Sequence, residues 1–142
     1  RWLLPQQVLL VDLIGAITIE EFLQLRNDMT TIAEHPPVHS IVRFERVTSA
    51  PSLREFGQFR GKGSKAWVVF VHPNPNAIVT TLISVIMKVG KMRFRIVRTV
   101  PEAMVILQRA DAQLQAARLP HDFEAAPLLH RIDAAVSKRK IR

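Results

Sequence analysis

The residues with the most chemical potential lie in Val47–Glu55, VTSAPSLRE. Ser52 and Glu55 have the spacing of a capping box. The hydroxyl accepts from the first helical turn and the carboxylate reaches back to the serine amide. The same placement has a second reading. A hydroxyl at a helix start, outside the C-terminal end of a strand, stands where free N–H groups and the helix dipole stabilise an added phosphate. Ser52 is thus a candidate cap and a candidate phosphoacceptor. Ser49 and Arg54 join it as candidate partner-binding residues.

His72 and Asn74 form a second group, just past the apolar run Ala66–Val71, AWVVFV. In open parallel sheets ligands collect outside the carboxyl ends of strands. The pair is a candidate pocket lining, against the plainer reading of a polar turn. Other patterns fail on inspection. GKGSK, Gly61–Lys65, has Phe56 where a phosphate loop needs its first glycine, and it precedes a strand instead of opening a helix. His35 and His39 are separated by Pro36 and Pro37, and no carboxylate cluster accompanies them. Cysteine is absent, which removes thiolate nucleophiles, disulfides and cysteine-based zinc sites together. There is no G-x-S-x-G elbow. Asp12 sits alone, and Glu20 with Glu21 reads as helix-start chemistry. The expectation is a protein that is not an enzyme and takes no metal or cofactor.

The elements that must position these residues follow a regular alternation. Trp2–Leu4 reads as a short strand and Val8–Ile14 as a buried one, closed by Gly15. Thr18, with Glu21, opens a helix that Pro36 and Pro37 stop. Ile41–Phe44 is the next strand, followed by a short helix at Leu53–Phe59. Ala66–Val71 is the strongest strand signal. Asn74 and Pro75 are read as N-cap and first position of the next helix, which Gly90 closes. Met92, Phe94 and Ile96 alternate with Arg93 and Arg95, as on an edge strand. Pro101 and Glu102 start a last core helix, to Leu114. Strands separated by helices predict a mainly parallel sheet with right-handed crossovers. The fold class expected is α/β: four or five mostly parallel strands, four helices and a C-terminal helix. Residues 1–117 form the domain. Residues 118–142 form a basic helical tail, with Leu128, Leu129, Ile132, Ala135 and Val136 on its apolar stripe.

Composition sets the bounds. The 142 residues suit one domain with a real core, 48% of them apolar. No apolar run reaches the roughly 18–20 residues of a membrane span. No secretory leader pattern is visible, and a cytoplasmic location is expected, although the chain opens on Arg1 instead of methionine and so leaves room for residues upstream. The net charge of +8 favours acidic partners. Lys88, Lys91, Arg93, Arg95 and Arg98 are the one basic cluster within the domain. With 6% aromatics and no tyrosine for stacking, nucleic acid is not expected, and edge protection accounts for the arginines.

From Val8 to Leu107 the chain resembles the STAS domains of anti-sigma factor antagonists and sulfate transporters, in a divergent bacterial form. The resemblance rests on Leu13-Ile14-Gly15-Ala16-Ile17-Thr18 with the helix after it, the strand leading to Val47-Thr48, and the turn Pro101-Glu102-Ala103-Met104. It implies a STAS-like fold and a non-enzymatic regulatory or protein-binding role in bacterial signalling. The family's phosphorylated serine falls on Ser52, with Pro51 in place of its aspartate and Leu53-Arg54 in place of Ser-Gly. The implied partners are a kinase or signalling protein, and a homodimer is open. The alternative is a lipid- or small-molecule-binding domain with its pocket near His72.

Overall fold

In the computed structural model, residues 1–32, 37–56 and 64–116 are described. The basic tail, the apolar stripe Leu128–Val136, His35 and Gly61–Gly63 lie outside them. Five strands form one sheet: β1 (Trp2–Leu4), β2 (Val8–Ala16), β3 (His39–Ser49), β4 (Trp67–Val71) and β5 (Arg93–Val97). Four helices intervene or follow: α1 (Ile19–Ile32), α2 (Leu53–Phe56), α3 (Ala77–Val89) and α4 (Val100–Ala110), with a 3-10 turn at Ala112–Leu114. Strand order in the sheet equals chain order; β1 pairs antiparallel with β2 and all other pairs are parallel. No described helix is long and apolar enough to cross a membrane.

Consecutive strands are neighbours, and α1 and α3 lie over the same face, where both meet Val42 and Val68. Phe22 of α1 meets Phe56 of α2 edge-on, ring centroids 4.9 Å apart. α4 follows the last strand and covers the other face. The pleat then sorts side chains by parity. On β3, His39, Ile41 and Arg43 face the α4 side, and Ser40, Val42 and Phe44 face the α1 and α3 side. Under α4, Val8, Leu10, Ile41, Val69, Ala103, Leu107 and Leu114 form a core with no more than 1% exposure each.

The helix starts are local. Thr18 and Glu21 close a reciprocal box, each accepting from the other's backbone N–H. Thr99 accepts from Glu102 N–H, and the Glu102 carboxylate accepts from Arg98 N–H. Two expectations need correction. The α3 N-cap is Asn76, not Asn74: Asn76 Oδ1 accepts from Val79 N–H at 2.8 Å, so the helix begins at Ala77 and its apolar residues start at the second position, Ile78. Gly15 does not close β2. It takes φ +82°, and the register shifts beside it, so it supplies a bulge within a strand that runs on to Ala16. Gly90 closes α3 as expected but in right-handed geometry, φ −71°. The left-handed position of the C-terminal motif falls on Lys91, φ +53°, with Met92 N–H bonded to Met87 C=O and Lys91 N–H to Lys88 C=O.

Candidate functional site

α1 stands off the sheet. α4 comes within 8 Å, Cα to Cα, of β3, β4 and β5, while α1 makes no comparable approach to any element. The space left is a cavity of about 280 Å³. Val42, Val68 and Phe70 floor it, with Leu13 at one side; Phe22, Leu25 and Met29 of α1 roof it; Ile86, Met87 and Met92 close the α3 side. Three of the four methionines are in this lining. Their flexible thioethers suit a surface that adapts to its occupant.

One polar group is sealed into this wall. Ser40 is 1% exposed, lines the cavity, and its Oγ has no hydrogen-bond partner. A buried hydroxyl without a partner costs on the order of 1–3 kcal/mol. Arg26 and Ser64 add polar groups to the lining, Ser64 itself being exposed. The cavity wall is thus apolar over most of its area, with an unsatisfied hydroxyl on its floor.

The neighbouring residue behaves in the opposite way. His39 is 3% exposed and faces α4. Its Nδ1 accepts from Trp67 N–H at 3.0 Å, so the ring proton sits on Nε2 and is donated to Asp111 at 3.0 Å. His39, by its side-chain bond, and Gln113 N–H hold the Asp111 carboxyl below the usual carboxylate range. Both ring nitrogens are used, which makes His39 a tie between β3, β4 and the end of α4. Asp12 is not alone either: it pairs with Arg43 Nε on the same face. Arg43 Nη2 is buried without a partner beside a cleft of about 20 Å³, room for about one water.

The anticipated residues fall into two other places. Ser52 donates its hydroxyl to Glu55 Oε2 at 2.7 Å, its own N–H reaches the same oxygen at 2.7 Å, and Glu55 N–H reaches Ser52 Oγ at 3.4 Å. These bonds lower the Glu55 pKa. Ser49, Ser52 and Arg54 are all exposed, at the end of a β2–β3 ladder that outruns β4, which pairs only with Ser40–Arg43. His72 Nδ1 accepts from Asn74 N–H at 3.1 Å, and its ring lies 4.8 Å from that of Phe44. Neither His72 nor Asn74 lines the cavity, which lies beneath α1. Sequence reading passed over Ser40. The signal was there: in HSIVRF the alternation places Ser40 with Val42 and Phe44, a hydroxyl in an otherwise apolar row. Among the described residues, no group of three histidine or acidic side chains is placed to hold a metal ion. No family model, curated protein or solved structure matches the chain.

Proposed function

We propose that this protein binds a small, mainly apolar molecule non-covalently in the cavity beneath α1, with one polar group of the ligand meeting Ser40. The supporting observation is a largely apolar cavity of about 280 Å³ with the unpartnered Ser40 hydroxyl buried in its wall. A cavity of about 150 Å³ holds one benzene, so this one suits a body of roughly ten non-hydrogen atoms, such as an acyl segment or a small ring system. Burying its apolar surface drives association. The hydroxyl, which gives and accepts one hydrogen bond, selects an oxygen-bearing end. Native mass spectrometry of the purified protein and titration with a fluorescent fatty acid test this reading. Saturable binding that Val68→Phe abolishes is expected, with several-fold weakening in Ser40→Ala. Equal signal from wild type and Val68→Phe overturns it.

A second reading, a regulatory module of STAS type, is favoured by the exposure of Ser49, Ser52 and Arg54 on the projecting ladder. A phosphate on Ser52 would stand against the Glu55 carboxylate and break the box, so modification and helix capping exclude each other there. Kinase labelling of the wild type above Ser52→Ala supports that reading; equal labelling removes it. For capping itself, Ser52→Ala is expected to cost about 0.5–2 kcal/mol, read from the denaturant midpoint.

A further inference from the structure

α3 is apolar on two sides. Ile83, Ile86 and Met87 are buried, while Ile78, Val85 and Val89 are 80%, 39% and 46% exposed. The exposed three recur at intervals of seven and four, so they form one stripe along the helix. A helix apolar on both sides expects cover on both.

The charge of the segment that carries α3 indicates what covers it. From Phe56 to Pro101 the chain contains no aspartate or glutamate. Within that span lie Arg60, Lys62, Lys65, Lys88, Lys91, Arg93, Arg95 and Arg98, a surplus equal to the whole net charge of +8. Lys88 is exposed and lies about 60° around the helix from Val85. Lys91, also exposed, follows in the left-handed turn that ends α3. An aliphatic stripe bordered by Lys88 and Lys91, on a helix that carries no acid of its own, matches a surface that is apolar below and anionic above.

We infer that α3 docks the protein on an anionic lipid surface, with Ile78, Val85 and Val89 entering the acyl boundary and Lys88 and Lys91 meeting the headgroups. A second copy fits less well, because two α3 stripes facing each other bring their lysines together. Nucleic acid fits less well too, since the stripe offers no ring for a base to stack on. The inference is independent of what occupies the cavity.

Co-sedimentation of the full chain with vesicles tests it. Strong binding is expected to vesicles of phosphatidylcholine with phosphatidylglycerol, weak binding to phosphatidylcholine alone, and loss of affinity as salt rises. Each cation near such a surface is worth about fivefold. Lys88→Glu/Lys91→Glu is therefore expected to bind at least about 25-fold more weakly, and Ile78→Ser/Val85→Ser to lose binding, with circular dichroism unchanged in both. All four positions have exposed side chains. Wild type that ignores both vesicle types overturns the inference. So does vesicle binding that the two double variants retain, which would place the contact elsewhere on the chain. A wild-type dimer that Val85→Glu makes monomeric, without vesicle binding, overturns it in favour of self-association.

Discussion

The face under α4 and the face under α1 and α3 share the same strands but are finished differently. Under α4 the aliphatic side chains are sealed, and the buried ring of His39 spends both nitrogens on fixed partners. Under α1 a single step along β3 leads to Ser40, equally buried and without a partner, over a space of about 280 Å³. The first face satisfies its buried imidazole internally and leaves one Arg43 nitrogen beside room for about one water. The other leaves a hydroxyl and a volume to be satisfied by something else. The first face is finished as a scaffold and the second keeps the space on which the proposed binding rests, and a sheet covered on both faces lets one strand serve both.

The largest expected contrast comes from adjacent residues of β4. Val69 is fully buried under α4 and Val68 lines the cavity. Val69→Phe should cost about 3 kcal/mol or prevent folding, whereas Val68→Phe should change stability by less than about 1 kcal/mol because the ring has somewhere to go. Urea midpoints of the two variants decide this, and comparable losses would mean the cavity collapses in solution. Next in size is β3. His39→Ala should cost about 2–4 kcal/mol, since it leaves the Trp67 N–H and the Asp111 carboxylate without their partner and opens a void. Ser40→Ala should stabilise by about 1–3 kcal/mol, since no bond is lost and the unpaired buried hydroxyl is removed.

Acid should weaken the tight face. The Asp111 carboxyl is held below its ordinary value by His39 and Gln113. A lowered folded value means the unfolded chain binds the proton more readily, so this contribution is full above the ordinary carboxylate range, about pH 4, and fades as pH falls through the lowered value. Asp111→Asn should flatten the stability profile in that window, measured by denaturation between about pH 5 and pH 2. The smallest effect concerns Lys91. Lys91→Gly relieves a side chain held at φ +53° and should stabilise by about 0.5–1 kcal/mol. Unchanged affinity for a cavity ligand in this variant would separate helix stability from the site.

The alternation of strands and helices was legible because VLLVDLI and AWVVFV are short apolar runs bounded by turn residues, whereas the α3 segment is longer and repeats its apolar residues at helical spacing. The boxes at Thr18 and Ser52 were legible because they depend on residues three apart. Asn76 was harder: Asn74-Pro75 and Asn76 both carry start chemistry, and only the helix's packing chooses between them. The candidate site was largely hidden. A cavity depends on how far α1 stands from the sheet, and no local pattern encodes that distance. Ser40 could be placed on a face by parity, but that α1 leaves space above it is a tertiary fact. The acid-free span from Phe56 to Pro101 lay in plain view, but its significance depended on finding Ile78 and Val89 uncovered.

The identity of strand order and chain order bears on how the molecule assembles. Each parallel pairing joins residues roughly thirty positions apart, so the loop-closure cost is similar at every step and no strand waits for a distant mate. The sheet is free to grow from β2 toward β5 as the chain emerges during synthesis, with α1 and α3 arriving alongside their own strands. α4 comes after all of them and packs back on β3, β4 and β5. The tightest face is therefore the last to close. Until Leu114 is made, Ile41, Val69 and Val71 stand bare, and a nascent chain paused short of that residue should be a better chaperone client than one paused beyond it.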